Sequence, residues 1–592
     1  MRELRSLLPY LRPYRRTLAA GMSLVLVSNY FNTRIPLFLE RGIDALGGSL
    51  SKDGADAVRL QAMLLVGFAL LGGIARYGMR DLLNSASRRV ENDVRDHLFR
   101  HVQKMSAEFY DRYPTGDVMA RTTNDLLAVR MVAGPAAMYL VDTMIRAALI
   151  FPAMVAISPR LTLFALLPLL LLPVAMVVLG RRIQHLTDAV QAGFSDLTEH
   201  VREHLAGVRV VRAYRQEMAE IGTFRHHTEE YVERSLRLAR VQGVFFPLMS
   251  FLGGLAAVVV LYVGGRQVIA GRVSIGAFVA FGVYLGMLVW PMIALGWAVT
   301  LVQRGAASMG RINELFAERP AIRSADGART LGPARARRLT FEHVWFRYPN
   351  APERGWVLED VSFDLEPGRA LAIVGGTGSG KSTLVDLVVR SYDPDRGRIL
   401  LDGLDLRELD LAELRRAVAL VPQETFLFSE TLRENVLLGA PDDGRLETAA
   451  DIAQLTEALP ALPQGWDTML GERGINLSGG QKQRAAIARG LAQAPGLFVL
   501  DDALSAVDAQ TEARILPRLR GALEGRTSVV VSHRLAAVRD ADLILVLEGG
   551  RIVERGVHAE LLAAGGRYWE LLRRQQLEEE LEQEDPEPTT AG

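Results

Sequence analysis

The sequence predicts a chain of two parts: an all-α bundle of six membrane-spanning helices, then an α/β domain. Three observations predict it. Hydrophobic residues make up 49% of the chain and mean hydropathy is +0.14, although 23% of the residues are charged. Six apolar stretches, at about 16–39, 60–80, 136–158, 161–180, 244–270 and 276–300, approach or exceed the ~20 residues that cross a hydrocarbon core as a helix. Beyond 338, short apolar strands alternate with amphipathic helices, the pattern of a three-layer α/β domain. At 592 residues the chain is too long for one core.

The N-terminus, "MRELRSLLPYLRPYRR", is basic, and Leu4, Leu7, Leu8 and Leu11 share one helical face. This predicts an amphipathic helix on a membrane surface. The first apolar stretch runs past Phe31 with no small-residue cleavage site, so it reads as a membrane helix rather than a signal peptide. Connections alternate in length. Little more than Pro159-Arg160 separates stretches three and four, and a short Gly-rich turn joins five and six. Two–three and four–five are separated by long, arginine-rich, helical excursions, which together with the basic N-terminus are expected on the cytoplasmic side. Within the stretches lie Asn29, Asn32, Arg34, Arg76, Asp142 and Arg146; Asp142 and Arg146 are spaced to neutralise each other on one helix. The expected domains are 1–318, a linker at 319–338, an α/β domain at 339–574 and a disordered acidic tail at 575–592.

Net charge is zero, 68 basic against 68 acidic residues, so nothing points to nucleic acid as a partner. Cysteine is absent, which excludes disulfides, thiolate catalysis and Cys-ligated zinc.

"LAIVGGTGSGKSTLVDLVV" reads strand, glycine loop, helix, and Gly375–Ser382 fits G-x-x-x-x-G-K-[ST]. Backbone N–H groups of Gly375, Gly376, Thr377, Gly378, Ser379 and Gly380, with Thr383 in the first helical turn, can surround phosphate oxygens. Lys381 reaches the outer phosphates and Ser382 can ligate Mg²⁺. Asp501, ending the apolar run "LFVLD", is the carboxylate expected near that Mg²⁺. In "LSGGQKQRAAIARGL", Ser478 caps a helix opened by Gly479, Gly480 and Gln481, an arrangement suited to an anion.

These motifs, in this order, resemble the ATP-binding cassette exporters with membrane and nucleotide domains fused in a half-transporter, and the resemblance spans nearly the whole chain. It implies the type I exporter fold and a cell-membrane protein, multi-pass in the inner or plasma membrane, with a cytoplasmic P-loop domain using ATP and Mg²⁺. It implies further roles: Tyr348 stacking on adenine, Gln423 touching Mg²⁺ and sensing the membrane domain, and His533 as the switch at the γ-phosphate. Leu470–Gly474 and Ser505–Asp508 match loops that communicate between sites. Phe109–Asp125 and Arg212–Glu217 resemble the two coupling regions. Since the signature of one chain faces the phosphate loop of another, the resemblance implies a second half-transporter as partner.

One residue departs from the pattern. The family places glutamate after the Mg²⁺ aspartate, as general base or water-orienting group; here Asp502 stands there. A carboxylate displaced by about 1 Å can cost roughly 100-fold in rate. The expectation is a weakened site in a heterodimer, completed by a glutamate-bearing partner and exporting drugs, lipids or peptides that are small and amphipathic. The alternatives are a homodimer using Asp502 as its working acid, an importer, and an ATP-gated channel or regulator. Trp290, Tyr284 and Trp297 are candidates for cargo contact, though aromatic residues at membrane depth also serve as packing or interface anchors.

Overall fold

The structure, a computed structural model, describes residues 2–46 and 52–584. The chain folds as two compact units. One is built from residues up to Gln103 and from Thr115 to Glu318; the other combines Lys104–Pro114 with the chain from Arg319 onward.

The first unit is helical. Its long helices are α1 (Arg15–Leu46) and α2 (Lys52–Val102). The short α3 (Ala107–Arg112) then belongs to the second unit. The first unit resumes with α4 (Thr115–Ile157), α5 (Pro159–Ala206), the short α6 (Val208–Ala213), α7 (Glu217–Ile269) and α8 (Ile275–Ala317). Among the described residues, α2, α4, α5, α7 and α8 are long and apolar enough to cross a membrane. The expected sixth span, α1, is less apolar because Ser28, Asn29, Asn32, Thr33 and Arg34 interrupt it. Ser28, Asn29, Asn32 and Thr33 are satisfied inside the bundle, while Arg34 is exposed and lies over the Tyr30 ring. Ser28 Oγ donates to the Gly72 carbonyl at 3.0 Å, and Asn29 Nδ2 to Asp142 Oδ1 at 2.7 Å. Arg146 pairs with Asp142 at 3.1 Å, as their spacing predicts, and also donates to Asn29 Oδ1.

The tight turns follow local chemistry. Ser158 caps α5, accepting from Leu161 N, with Pro159 in the first turn, where its missing N–H costs nothing. Ser274 caps α8, and Asp44 at the end of α1 accepts from both Ser274 Oγ (2.7 Å) and Gly276 N (2.8 Å). At the N-terminus, Leu7 is buried, Leu4 and Leu11 are half-buried, and Leu8 is exposed; Pro9 and Pro13 break the segment into short helical turns.

The second unit contains two sheets. Strands β1 (Leu339–Phe346), β2 (Leu358–Leu365), β4 (Arg396–Leu401) and β5 (Leu404–Asp405) form an antiparallel sheet ordered β2-β1-β4-β5. Strands β3 (Ala370–Gly375), β6 (Val418–Val421), β7 (Leu497–Asp501), β8 (Thr527–Val531), β9 (Leu543–Glu548) and β10 (Arg551–Gly556) form the other, ordered β10-β9-β3-β8-β7-β6. All pairings in it are parallel except β9–β10. The antiparallel sheet corrects the expectation of a simple three-layer α/β domain. β1–β2 and β4–β5 are consecutive in sequence and pair antiparallel, and β4 returns beside β1 after the phosphate-loop strand and helix. A buried cluster including Leu339, Phe341, Val361, Leu371, Ile373 and Leu384 fills the space between the sheets and α9 (Lys381–Val388).

Two boundary expectations change. The stretch 319–338 is packed rather than a free linker: Leu331 joins the core, Arg329 N donates to Glu408 O, and buried Arg337 pairs with Asp402 at 2.7 Å. The acidic tail is helical as far as Glu584, because its Gln, Leu and Glu are strong helix formers even where charge density is high; residues 585–592 lie outside the described ones.

Candidate functional site

Parallel strands deliver the chemistry to one edge. β3, β7 and β8 are in register, with Ile373 beside Val531 and Val531 beside Asp501. The loops after these strands and after β6 therefore emerge together at the carboxyl edge, where α/β sheets bind ligands. They carry Gly375–Ser382, Asp501-Asp502, His533 and Gln423.

The phosphate loop wraps tightly. Gly380, the residue before α9, has φ of 100°, and a Cβ there would meet Leu358 and the Val357 carbonyl at 2.8 and 3.0 Å, so only glycine fits. Lys381 is buried; its Nζ donates to the carbonyls of Gly375 (2.9 Å) and Gly376 (2.8 Å). Burial pushes its ammonium below the usual range, opposed by Asp501 and Asp502. Ser379 Oγ is buried with no partner, a donor that a phosphate oxygen would satisfy. Together with the free N–H groups of the first turn of α9, this fits a nucleotide phosphate.

Asp501 and Asp502 are both buried. Burial pushes the Asp501 carboxyl up; a hydrogen bond from Ser382 opposes this, while the Asp502 charge reinforces it. A divalent cation between Ser382 and Asp501 would relieve that burial, so these donors fit Mg²⁺. Asp502 has φ of 47°, in the left-handed region where aspartate is tolerated. Its N–H donates to Val531 O at 2.8 Å, and its Oδ1 faces the His533 N–H at 3.5 Å, tying the odd acid to the loop after β8. Gln423 is exposed two residues beyond β6. Tyr348 is half-buried, donates to or accepts from Thr383 Oγ1 at 3.0 Å, and packs edge-on to Phe346 and Tyr392.

The signature forms the start of α10 (Gly479–Ala492). Ser478 and Gln481 make a reciprocal capping box: Gln481 N donates to Ser478 Oγ, and Ser478 N to Gln481 Oε1. Gly480 allows close approach, since a Cβ there would lie 2.9 Å from Ala506 O.

Several participants carry no sequence signal. Buried Gln483 donates to Ser505 Oγ (2.9 Å) and accepts from Ala506 N (2.8 Å), pinning the "SAVD" loop to α10. Arg489 donates to the carbonyls of Phe426 and Asn435, holding the segment after Gln423. Asp386 on α9 is pushed up to about 6, first by burial and then by the charges of Asp501 and Asp111. Asp111, on α3, accepts from Tyr392 Oη at 2.6 Å. Only the fold brings these residues together.

Phosphate loop, carboxyl-edge aspartate and glycine-led signature helix on one α/β unit, in a chain whose other unit is a bundle of long apolar helices, define a nucleotide-driven membrane transporter. Comparison with known proteins agrees. Residues 18–292 match the family model for the ABC transporter transmembrane region, and residues 358–505 the model for the ABC transporter itself. The chain is 38% identical over 541 residues to the probable multidrug resistance ABC transporter ATP-binding/permease protein YheI of Bacillus subtilis, covering 90% of this chain and 92% of that one. It is 36% identical over 574 residues to the multidrug resistance-like ATP-binding protein MdlA of Escherichia coli, covering 96% of each. A solved bacterial Atm1-family ABC exporter with ATP bound superposes with a TM-score of 0.75 at 28% identity, over 95% of this chain and 98% of that one. The chain belongs to the ABC transporter family. It is a membrane ABC exporter of the type I fold, with an ATP-binding domain on the cytoplasmic side.

Proposed function

We propose that this chain is one half of a heterodimeric exporter that moves small amphipathic molecules, whether drugs, lipids or peptides, out of the cytoplasm by alternating access. In this reading its own phosphate loop binds ATP tightly and cleaves it slowly, because the acid that should orient the attacking water is Asp502. The observation that carries it is the pair Asp501-Asp502 beside a complete phosphate loop and an intact signature. The intact signature can complete the competent site of a glutamate-bearing partner.

The roles assigned are these. Lys381 leaves the Gly375 and Gly376 carbonyls for the outer phosphates, and Tyr348 stacks on adenine. Ser382, Asp501 and Gln423 hold Mg²⁺, which when bound neutralises charge developing on the phosphates. His533 senses the γ-phosphate, and Ser478–Gln481 present their helix end to the partner's nucleotide. A cavity of about 610 Å³ in the helical unit, lined by Tyr30, Arg34, Glu40 and Tyr284 among others, mixes aromatic and charged walls and supports amphipathic cargo. Multidrug resistance in the names of two relatives points the same way.

A second reading, a homodimer with Asp502 as working acid, is favoured by the backbone at 502. The left-handed conformation suits aspartate better than glutamate, and the carboxylate already reaches the His533 loop. ATP turnover by the purified chain in lipid, beside its Asp502→Glu variant, separates the two. The heterodimer reading expects negligible turnover that rises about 100-fold with glutamate. Fast, substrate-stimulated turnover by the unaltered chain alone would overturn it.

A further inference from the structure

Five of the ten histidines, His185, His200, His204, His226 and His227, fall in the second cytoplasmic excursion, far in sequence from the ATP site. His200 and His204 stand one turn apart on the same face of α5, with rings 4.2 Å apart. Glu220, in the first turns of α7, lies opposite. His204 Nε2 is 3.1 Å and His200 Nε2 3.9 Å from the same Glu220 oxygen, and one donor atom from each of the three residues lies within 4.8 Å of the other two. All three are half-buried, so they are held in place yet reachable from water. The His227 ring is 5.2 Å from that of His200, adding a further imidazole at the margin.

The His204 contact is of hydrogen-bond length, but His200 is too far from Glu220 for one, and three ligand atoms gathered within 4.8 Å leave room for a shared cation. In a tetrahedral site with bonds of about 2.0–2.1 Å, donor atoms stand roughly 3.3 Å apart. The observed 3.1 and 3.9 Å straddle that spacing. Two imidazoles and one carboxylate suit a borderline divalent ion, Zn²⁺ above all, with a fourth position left to water or a neighbouring side chain. Hard Mg²⁺ and Ca²⁺, which prefer all-oxygen shells, do not match it. With no cysteine in the chain, no thiolate competes.

We propose that His200, His204 and Glu220 form a Zn²⁺-class metal site that clips α5 to α7 beside the short α6. The clip closes the excursion just before the turn at Arg215 (φ 53°), where Gln216 N returns to Val211 O. It would fix the orientation of α6, whose Val210 side presents an apolar surface to solvent.

The test uses the full-length chain in lipid nanodiscs, its affinity tag removed and its metals stripped with chelator, dialysed against micromolar Zn²⁺ and analysed for bound metal. The expected result is one Zn²⁺ per chain, lost in His200→Gln/His204→Gln and retained in His343→Gln, a control in the other unit. Glu220→Gln preserves hydrogen bonding to the histidines, so it reports on ligation should the double variant fail to fold. It should weaken binding by at least the roughly 10–100-fold that loss of an outer-shell partner costs. Co²⁺ in place of Zn²⁺ should give the intense visible bands of a tetrahedral site in the parent only. Zn²⁺ retained equally by the parent and Glu220→Gln, or absent from the parent, would overturn the proposal.

Discussion

The two cytoplasmic excursions look alike in sequence: both are long, helical and rich in arginine. The structure treats them differently. The tip of the first, Lys104–Pro114, is part of the nucleotide unit. There Phe109 is buried, Ala107 packs on the main core, Asp111 accepts from Tyr392, and the Glu108 carbonyl accepts from Asn350. The tip of the second is exposed: Val210 at 61%, Tyr214 at 73% and Met218 at 78%. One excursion is engaged within its own chain. The other offers an apolar end suited to a surface supplied from elsewhere, in keeping with the proposed dimer. Composition reports a helical excursion; only packing reports what it is for.

The sharpest way to break this contrast is Phe109→Ala. Removing a buried phenylalanine costs about 3–5 kcal/mol, so the first tip should detach and ATP turnover should no longer respond to substrate, read as stimulated against basal ATPase activity. Tyr392→Phe removes one hydrogen bond to a carboxylate, worth about 1.5–3 kcal/mol, and should weaken the same response while preserving ATP binding.

Asp386 gives a pH test of the same junction. Its carboxyl titrates at about 6 in the fold against 3.8 ordinarily, so between those values the folded state holds the extra proton. Its contribution to stability is therefore complete below about 4 and is lost as pH rises through about 6. Asp386→Asn should flatten that part of the stability–pH curve, measured by thermal unfolding of the full chain. Val210→Asp should have the smallest effect on the chain itself, within about 0.5 kcal/mol by thermal unfolding, because the site is exposed. If it destabilises the isolated chain as much as Phe109→Ala, the two tips are not different in kind.

What could be read beforehand follows the same division. The phosphate loop, Asp501 and the signature are contiguous strings whose backbone conformation is local, so their chemistry is legible residue by residue. The short connections were equally legible, whereas the caps that Ser158 and Ser274 form there emerge from the structure. Asp386, Tyr392, Asp111 and Gln483 acquire meaning only through long-range packing and gave no signal. The polar residues of the first helix are visible in the sequence, but not that Asn29 meets Asp142. The antiparallel sheet is not legible in the sequence because strand direction is a property of pairs. The His200–His204–Glu220 group stayed hidden because its third member lies beyond a turn.

Gln483 bonds to both Ser505 and Ala506, and Gly480 lets α10 press against the same loop. The start of α10 and the approach to α11 (Ala509–Leu523) are thus joined without slack. A displacement of one end of this piece reaches the other through two hydrogen bonds and one close contact. In a dimer where one end of it faces a nucleotide across the interface and the other adjoins this chain's own Asp502, the two ATP sites share a mechanical part. Under the proposed heterodimer, slow chemistry at one would set the tempo of the other, and the shorter acid would act less as a defect than as a clock.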